Sequence, residues 1–238
     1  MRTVAIVLAG GSGRRFGSDG PKQLQTLGGR TLIEHCVRAF DRAPGVEDVL
    51  VVAAADISEQ VRRDLGARYQ KLADVIRGGS TRTDSTRQAL SWLSTRLPDD
   101  GKVLFHDAAR PLVDQRTIAD CIAALDRCDA AGVVVPSSDT IVEVANGIVQ
   151  RVLPRDTLAR CQTPQGFRLS VIVAAYRLAD ADPEFSSVPA TDDCGVVLRY
   201  LPAVPVAAVQ GSERNLKVTY TADLAIAQTL LETADQQE

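Results

Sequence analysis

Residues 3–8, TVAIVL, form an unbroken apolar run, largely β-branched, that stops at Gly10 and Gly11. A strand with one wet face alternates apolar and polar residues. A strand apolar on both sides is covered on both sides, as in the middle of a parallel sheet flanked by helices. The rest of the chain fits that constraint. Residues 31–40 put Leu32, Ile33, Cys36, Val37 and Phe40 on one helical face. Residues 49–53, 74–77, 102–105 and 132–136 read as strands, and 57–65, 84–97, 116–128 and 221–233 as helices. The alternation predicts a Rossmann-like α/β fold, a mostly parallel sheet with helices on both faces. No repeat, low-complexity tract or linker divides the 238 residues, so one domain over 1–238 is expected. Sheets of this kind bind ligands at the carboxyl ends of their strands. The loops after Leu8 and Phe105 both fall there.

The alternation breaks at 138–150. The stretch TIVEVANGIVQRV carries two β-runs around Asn146-Gly147, a strong hairpin signal because both residues tolerate positive φ. It reads either as an arm leaving the body at about 138–155 or as an antiparallel edge of the main sheet. With 27 basic and 30 acidic residues the net charge is −3, without the basic excess that nucleic acid or an anionic membrane requires. No apolar run approaches the roughly 20 residues of a membrane span, and residues 1–8 lack a signal-peptide core. The five cysteines, Cys36, Cys121, Cys128, Cys161 and Cys194, are odd in number and form no C-x-x-C. Buried free thiols in a reducing compartment, and hence a cytoplasmic protein, are expected.

Three motifs carry chemistry. In the first, residues 8–17 (LAGGSGRRFG) are followed by Pro21-Lys22. Small residues after a strand let backbone N–H groups approach a polyphosphate, and Arg15 and Lys22 add charge. Lysine occurs only at positions 22, 71, 102 and 217, so a lysine inside a motif is informative. The spacing matches neither the P-loop nor the dinucleotide G-x-G-x-x-G. In the second, residues 78–85 (GGSTRTDS), glycines allow close approach to a flat base and Ser85 can offer a hydroxyl to its edge. The plain alternative is a turn capped by Thr83 or Asp84. In the third, residues 106–111 (HDAARP), Asp107 follows a strand and suits Mg²⁺, Ala108 and Ala109 leave room, and Arg110 can meet a second phosphate. His106 reads as a packed residue, since no His or Cys cluster accompanies it.

The opening loop resembles the nucleotidyltransferases of the sugar-nucleotide pyrophosphorylase type. Adding Asp139-Thr140, Pro154-Arg155, Thr163-Pro164-Gln165 and residues 215–219 (NLKVT), the chain resembles the 2-C-methyl-D-erythritol 4-phosphate cytidylyltransferases over nearly its whole length. The resemblance implies that Ala9, Gly10, Gly11, Gly13, Arg15 and Lys22 hold the triphosphate of CTP, and that Gly79, Ser80 and Ser85 read cytosine. It implies that Asp107 binds Mg²⁺ and that Lys217 joins Lys22 at the phosphates. It places Arg110, Thr140, Arg155 and Thr163 around the polyol phosphate. Thr140 and Arg155 then belong to an arm that enters the site of a partner in a homodimer. Leu8-Ala9-Gly10-Gly11 and residues 139–143 are closer to the sister ribitol 5-phosphate cytidylyltransferases, whereas Ala108-Ala109 is closer to the erythritol group. Arg214 stands where some members carry an aspartate. Transfer of CMP from CTP to the erythritol phosphate is the leading expectation. Transfer to ribitol 5-phosphate or another polyol phosphate is the second. A non-catalytic nucleotide-binding protein, set against by the intact Arg15, Lys22, Asp107 and Lys217, is the third.

Overall fold

The structure is a computed structural model and describes residues 1–11, 16, 20–188 and 190–235. In chain order the elements are β1 (Thr3–Ala9), β2 (Thr26–Leu27), β3 (Arg30–Thr31), α1 (Leu32–Arg42), β4 (Asp48–Ala53), α2 (Ser58–Leu65), β5 (Leu72–Arg77), α3 (Arg82–Leu93) and β6 (Lys102–Asp107). There follow α4 (Gln115–Ala124), β7 (Ala130–Pro136), β8 (Val142–Ala145), β9 (Ile148–Val152), β10 (Ala159–Arg168), α5 (Leu169–Ala181), α6 (Asp193–Tyr200), β11 (Val206–Gln210) and α7 (Thr221–Asp235).

Seven strands form one sheet in the order β11-β7-β10-β6-β1-β4-β5. β1 lies inside it, parallel to β4 and β6. Its side chains split by parity, as a strand buried on both faces requires. Ala5, Val7 and Ala9 pack with Cys36, Val61 and Ile118 of α1, α2 and α4. Val4, Ile6 and Leu8 pack on the other side with Leu90, Ile172 and Val197 of α3, α5 and α6. A third, smaller cluster seats α7 on the β2–β3 hairpin through Ala227, Leu27, Leu32, Phe16 and Val218.

The expected α/β fold is present, with an antiparallel strand inside the main sheet that the periodicity did not announce. β10 runs antiparallel between β6 and β7. Its sequence, ARCQTPQGFR, contains a proline and several polar residues, and its register shifts between Cys161 and Gln165. A bulged strand of that composition gives little strand signal. The sequence reading assigned no strand or helix to 159–210, where β10, α5, α6 and β11 lie. The helix read at 84–97 instead spans 82–93. Thr81, not Thr83 or Asp84, is its N-cap, and Asp84 closes a capping box back onto Thr81.

Between the two readings of the hairpin, the structure has an arm. β8 and β9 form their own two-stranded sheet, turned by Asn146 at φ 52 and Gly147 at φ 76. Val144, Ile148, Val149 and Val152 are each more than half exposed on it. The cysteine expectation needs correction. All five are free, but only Cys36, Cys121 and Cys194 are buried, while Cys128 is half-buried and Cys161 exposed. Among the described residues no helix is long and apolar enough to cross a membrane.

β10 is joined to β6 by Phe167 and Phe105, both fully buried, with ring centroids 6.2 Å apart. Phe167→Ala leaves a cavity at this seam and is expected to cost about 3–5 kcal/mol in urea unfolding. A loss below about 1 kcal/mol would mean that the seam does not hold the strand.

Candidate active site

The site lies at the carboxyl ends of β1, β4 and β6. Three backbone bonds gather them: Ala54 N–H to Ala9 O at 3.2 Å, Gly78 N–H to Ala53 O at 2.7 Å, and Ala108 N–H to Leu8 O at 2.9 Å. The glycines permit contact that a Cβ would forbid. On Gly10 it would lie 2.6 Å from Ser85 Oγ, and on Gly79 2.1 Å from Asp84 Cβ. The loop after β1 can therefore rest on the first turn of α3. Gly11 O accepts from Gln23 Nε2 at 2.6 Å, tying that loop to the short 3₁₀ turn Lys22–Leu24. Gly13 and Arg15 lie outside the described residues.

Asp107 ends β6, opposite Leu8 in register. Its side chain is 13% exposed and meets two cations. Lys217 Nζ donates to Oδ2 at 2.7 Å, and Arg82 Nε approaches Oδ1 at 3.4 Å. Burial alone would raise the carboxyl's pKa. Arg82 and Lys217 outweigh it and hold Asp107 well below the usual carboxylate range. The carboxylate is thus ionised at neutral pH.

Lys217 reaches this place because its neighbours are pinned. Asn215 Nδ2 donates to Thr163 O at 2.8 Å, Arg110 Nη1 donates to Asn215 O at 2.8 Å, and Val218 N–H donates to Ala109 O at 2.8 Å. Thr163 sits at the β10 bulge and receives the Asp107 N–H on Oγ1 at 3.1 Å. The same oxygen lies 3.0 Å from His106 Nδ1, and His106 Nε2 lies 3.0 Å from Arg110 O. A carbonyl can only accept, so Nε2 carries the proton and Thr163 donates to Nδ1. His106 is a packed, hydrogen-bonded residue, as expected. Burial lowers its pKa to about 4, against the opposing pull of the Arg110 carbonyl and Asp107.

The other expected residues are placed as follows. Ala9 is buried, and Ser80 Oγ donates to Asp84 Oδ2 at 2.6 Å. Ser85 is buried, with its hydroxyl donating to Thr81 O at 3.0 Å. Arg110 is 9% exposed and, besides Asn215 O, holds Cys161 O at 3.2 Å. Its Nε is buried without a partner. Thr140 and Arg155 are exposed at the root of the arm, Arg155 donating to Ser138 O at 3.4 Å. Among the described residues no hydrogen bond joins them to the Asp107 cluster. Arg214 donates to Leu230 O on α7.

Sequence reasoning passed over Arg82 and Asp193. Arg82 was in plain view inside residues 78–85, but that stretch was read for a base rather than for charge. Gln165, quoted only as part of a motif, accepts from Asp193 N–H at 3.1 Å and Cys194 N–H at 3.2 Å, seating the start of α6.

Among the described residues no group of three or more His, Cys, Asp or Glu side chains could hold a metal ion. Asp107 alone still suits Mg²⁺, which is commonly held by one or two carboxylates with substrate phosphates and water.

Because the folded-state pKa of His106 lies below the unfolded value of 6.5, the unfolded chain takes the proton first. Stability is full above about pH 6.5 and falls toward about pH 4, by up to ~1.4 kcal/mol per pH unit. His106→Gln should show a shallower loss of unfolding free energy than the parent between about pH 7 and pH 5. Equal slopes would remove His106 as the cause. His35, whose burial also lowers its pKa, is common to both proteins.

A family model described as IspD, 2-C-methyl-D-erythritol 4-phosphate cytidylyltransferase, matches residues 3–233. A protein of that name from Thermobifida fusca is 49% identical, over 98% of this chain and 94% of its own. A Haemophilus influenzae protein named bifunctional ribulose 5-phosphate reductase/CDP-ribitol pyrophosphorylase is 34% identical, over 97% of this chain and 48% of its own. The solved structure of a 4-diphosphocytidyl-2C-methyl-D-erythritol synthase from Anaerococcus prevotii superposes with a TM-score of 0.82 at 26% identity, covering 97% of this chain and 98% of that one.

Proposed function

The chain belongs to the 2-C-methyl-D-erythritol 4-phosphate cytidylyltransferase family, and on that premise we propose how the residues around Asp107 perform the reaction. The enzyme transfers CMP from CTP to 2-C-methyl-D-erythritol 4-phosphate, a step of isoprenoid precursor synthesis, and releases pyrophosphate. A phosphate oxygen of the acceptor forms a bond to the α-phosphorus of CTP, and the bond from that phosphorus to the β-phosphate oxygen breaks. Both reactants are anions. The protein must align them and offset charge that grows on the leaving pyrophosphate.

The observation that carries this reading is the meeting of Lys217 and Asp107 beside the glycine loop after β1. Lys217 is 44% exposed and pinned on either side, so its ammonium faces both Asp107 and the open site. Arg15, Lys22 and Lys217 stabilise the phosphates. Asp107 holds Mg²⁺, which when bound screens the triphosphate and polarises its oxygens. Ala9, Gly10, Gly11 and Gly13 present backbone to the phosphates, and Gly79, Ser80 and Ser85 flank the cytosine. Thr163 fixes the backbone of Asp107, while Arg110 fixes the strand end and the Asn215 turn. Their contribution to acceptor binding is by placement of these groups.

Thr140 and Arg155 hold the acceptor phosphate across a homodimer. The support is the arm itself. An isolated two-stranded ribbon is marginal in water, and this one exposes five large apolar side chains, Val142, Val144, Ile148, Val149 and Val152. A second copy covers them in a twofold pair. The reading also makes the enzyme cytoplasmic and without a nucleic-acid or membrane partner.

Two experiments test the proposal. With CTP and Mg²⁺, pyrophosphate release should be at least ~10-fold faster, as kcat/KM, with the erythritol phosphate than with ribitol 5-phosphate, a gap of about 1.4 kcal/mol. A faster rate with ribitol 5-phosphate overturns the acceptor, and no release with either overturns the activity. In the second, Lys22→Ala and Arg155→Ala subunits, each inactive alone, are mixed under exchange. If sites are shared, a heterodimer has one site with both lesions and one with neither, so activity returns to about half per heterodimer. No recovery after verified exchange means that each chain builds its own site.

A further inference from the structure

A buried relay behind Asp107 has no part in the reaction as described so far. Arg82, in the first turn of α3, is flanked by two carboxylates. Its Nε is 3.4 Å from Asp107 Oδ1 and its Nη1 is 2.8 Å from Asp193 Oδ2. Asp193, at the start of α6, is fully buried. Its Oδ1 accepts from the Tyr176 hydroxyl at 2.7 Å and the Thr86 hydroxyl at 3.0 Å. Its backbone N–H is held by Gln165. Asp193 is thus anchored by three hydrogen bonds that do not involve Arg82.

The two cations at Asp107 differ in kind. Lys217 is a half-exposed point charge on Oδ2, free to exchange with another cation. Arg82, 26% exposed, is a planar fork held from behind. Neither end of the fork is fully spent. Arg82 Nη2 and Asp193 Oδ2 are buried with no hydrogen-bond partner, so the Nη1 approach is a close ion contact rather than an aligned bond. Leaning fully toward Asp193 would satisfy both atoms but would release Asp107. The observed compromise spans both carboxylates and offers Asp107 only a long contact on one oxygen.

We propose that Arg82 is a positioning residue: anchored by Asp193, it fixes the Asp107 carboxylate from Oδ1 and leaves Oδ2 as the exchangeable oxygen for a divalent cation. This rests on the reading of Asp107 as the metal ligand. Charge in the cluster then balances without the metal, with Arg82 and Lys217 against Asp107 and Asp193. Lys217 is the partner that gives way, because Arg82 cannot leave Asp193 without stranding a buried charge.

Arg82→Lys tests it at constant charge. A lysine cannot span both carboxylates, and the fully buried Asp193 claims it, since an unpaired buried carboxylate is the costlier outcome. Asp107 then loses its tether on Oδ1 and is left to Lys217. Binding of Mn²⁺ to the full-length protein with CTP, followed by electron paramagnetic resonance, should weaken about 10-fold or more, a loss of ~1.4 kcal/mol. The Mn²⁺ concentration for half-maximal turnover should rise in parallel, while KM for the acceptor stays within about twofold, a change of only ~0.4 kcal/mol. Tyr176→Phe removes one bond to Asp193, remote from the substrates, and should shift Mn²⁺ binding the same way by a few-fold. It serves where Arg82→Lys does not fold. Asp107→Asn is run beside them. Loss of Mn²⁺ binding in Asp107→Asn with parental binding in Arg82→Lys, or in Tyr176→Phe if that variant stands in, overturns the relay and leaves the metal reading intact. Parental binding in Asp107→Asn overturns both. Lower thermal stability with unchanged Mn²⁺ binding assigns Arg82 a purely structural role and also overturns the proposal.

Discussion

An ionised carboxylate at the end of a buried strand is costly unless it is paired. Asp107 is paired twice, by Arg82 from the α3 side and by Lys217 from the turn after β11. Much of the architecture serves to bring those two cations to one residue. Four separate parts of the chain meet there: residues 78–85, 106–111, 159–168 and 212–219. None could be placed without the others. The Asp107 backbone is held by Thr163, Thr163 O by Asn215, and Asn215 O by Arg110, which lies three residues beyond Asp107. The loop of contacts closes on itself, so the site is braced across several elements rather than built on a single one.

The sheet makes this closure possible. β1 and β6 are parallel neighbours, so their carboxyl ends deliver the glycine loop and Asp107 side by side. β10 enters from the opposite direction, and its bulge lands Thr163 and Gln165 at the same edge. The glycines act by absence. At Gly10 a Cβ would meet Ser85 of α3, so the glycine loop after β1 and the start of that helix can lie in contact only as they stand. Fold and chemistry thus share residues. His106 is a core side chain against Phe40, with ring centroids 5.2 Å apart, and is also the proton donor that orients Arg110 O.

Much of this was legible in the sequence, and the reasons are specific. β1 was legible because both faces are apolar, and the hairpin because Asn146-Gly147 needs positive φ. Lys217 stood out because lysine is rare in the chain, and Asp107 because it ends a strand amid small residues. β10 was not legible, because a strand that carries site residues is polar where the site is and is broken by Pro164. The role of Arg82 was hidden for another reason. Its partners, Asp107 and Asp193, are 25 and 111 residues away, and no local pattern pairs them. Ser85 and Arg110, read from their motifs and from the resemblance as ligand contacts, are occupied here by backbone carbonyls. Such internal bonds cannot be read from a motif.

The proposed mechanism stands on Asp107 as the metal-binding carboxylate of a nucleotidyl-transfer site and on Lys217 exchanging between it and the phosphates. The most direct measurement is anomalous scattering from crystals grown with CTP and Mn²⁺. A manganese peak is expected about 2.1 Å from a carboxylate oxygen of Asp107, with Lys217 Nζ moved from that carboxylate onto the triphosphate. A bound nucleotide with manganese elsewhere, and Lys217 still on Asp107, would contradict it.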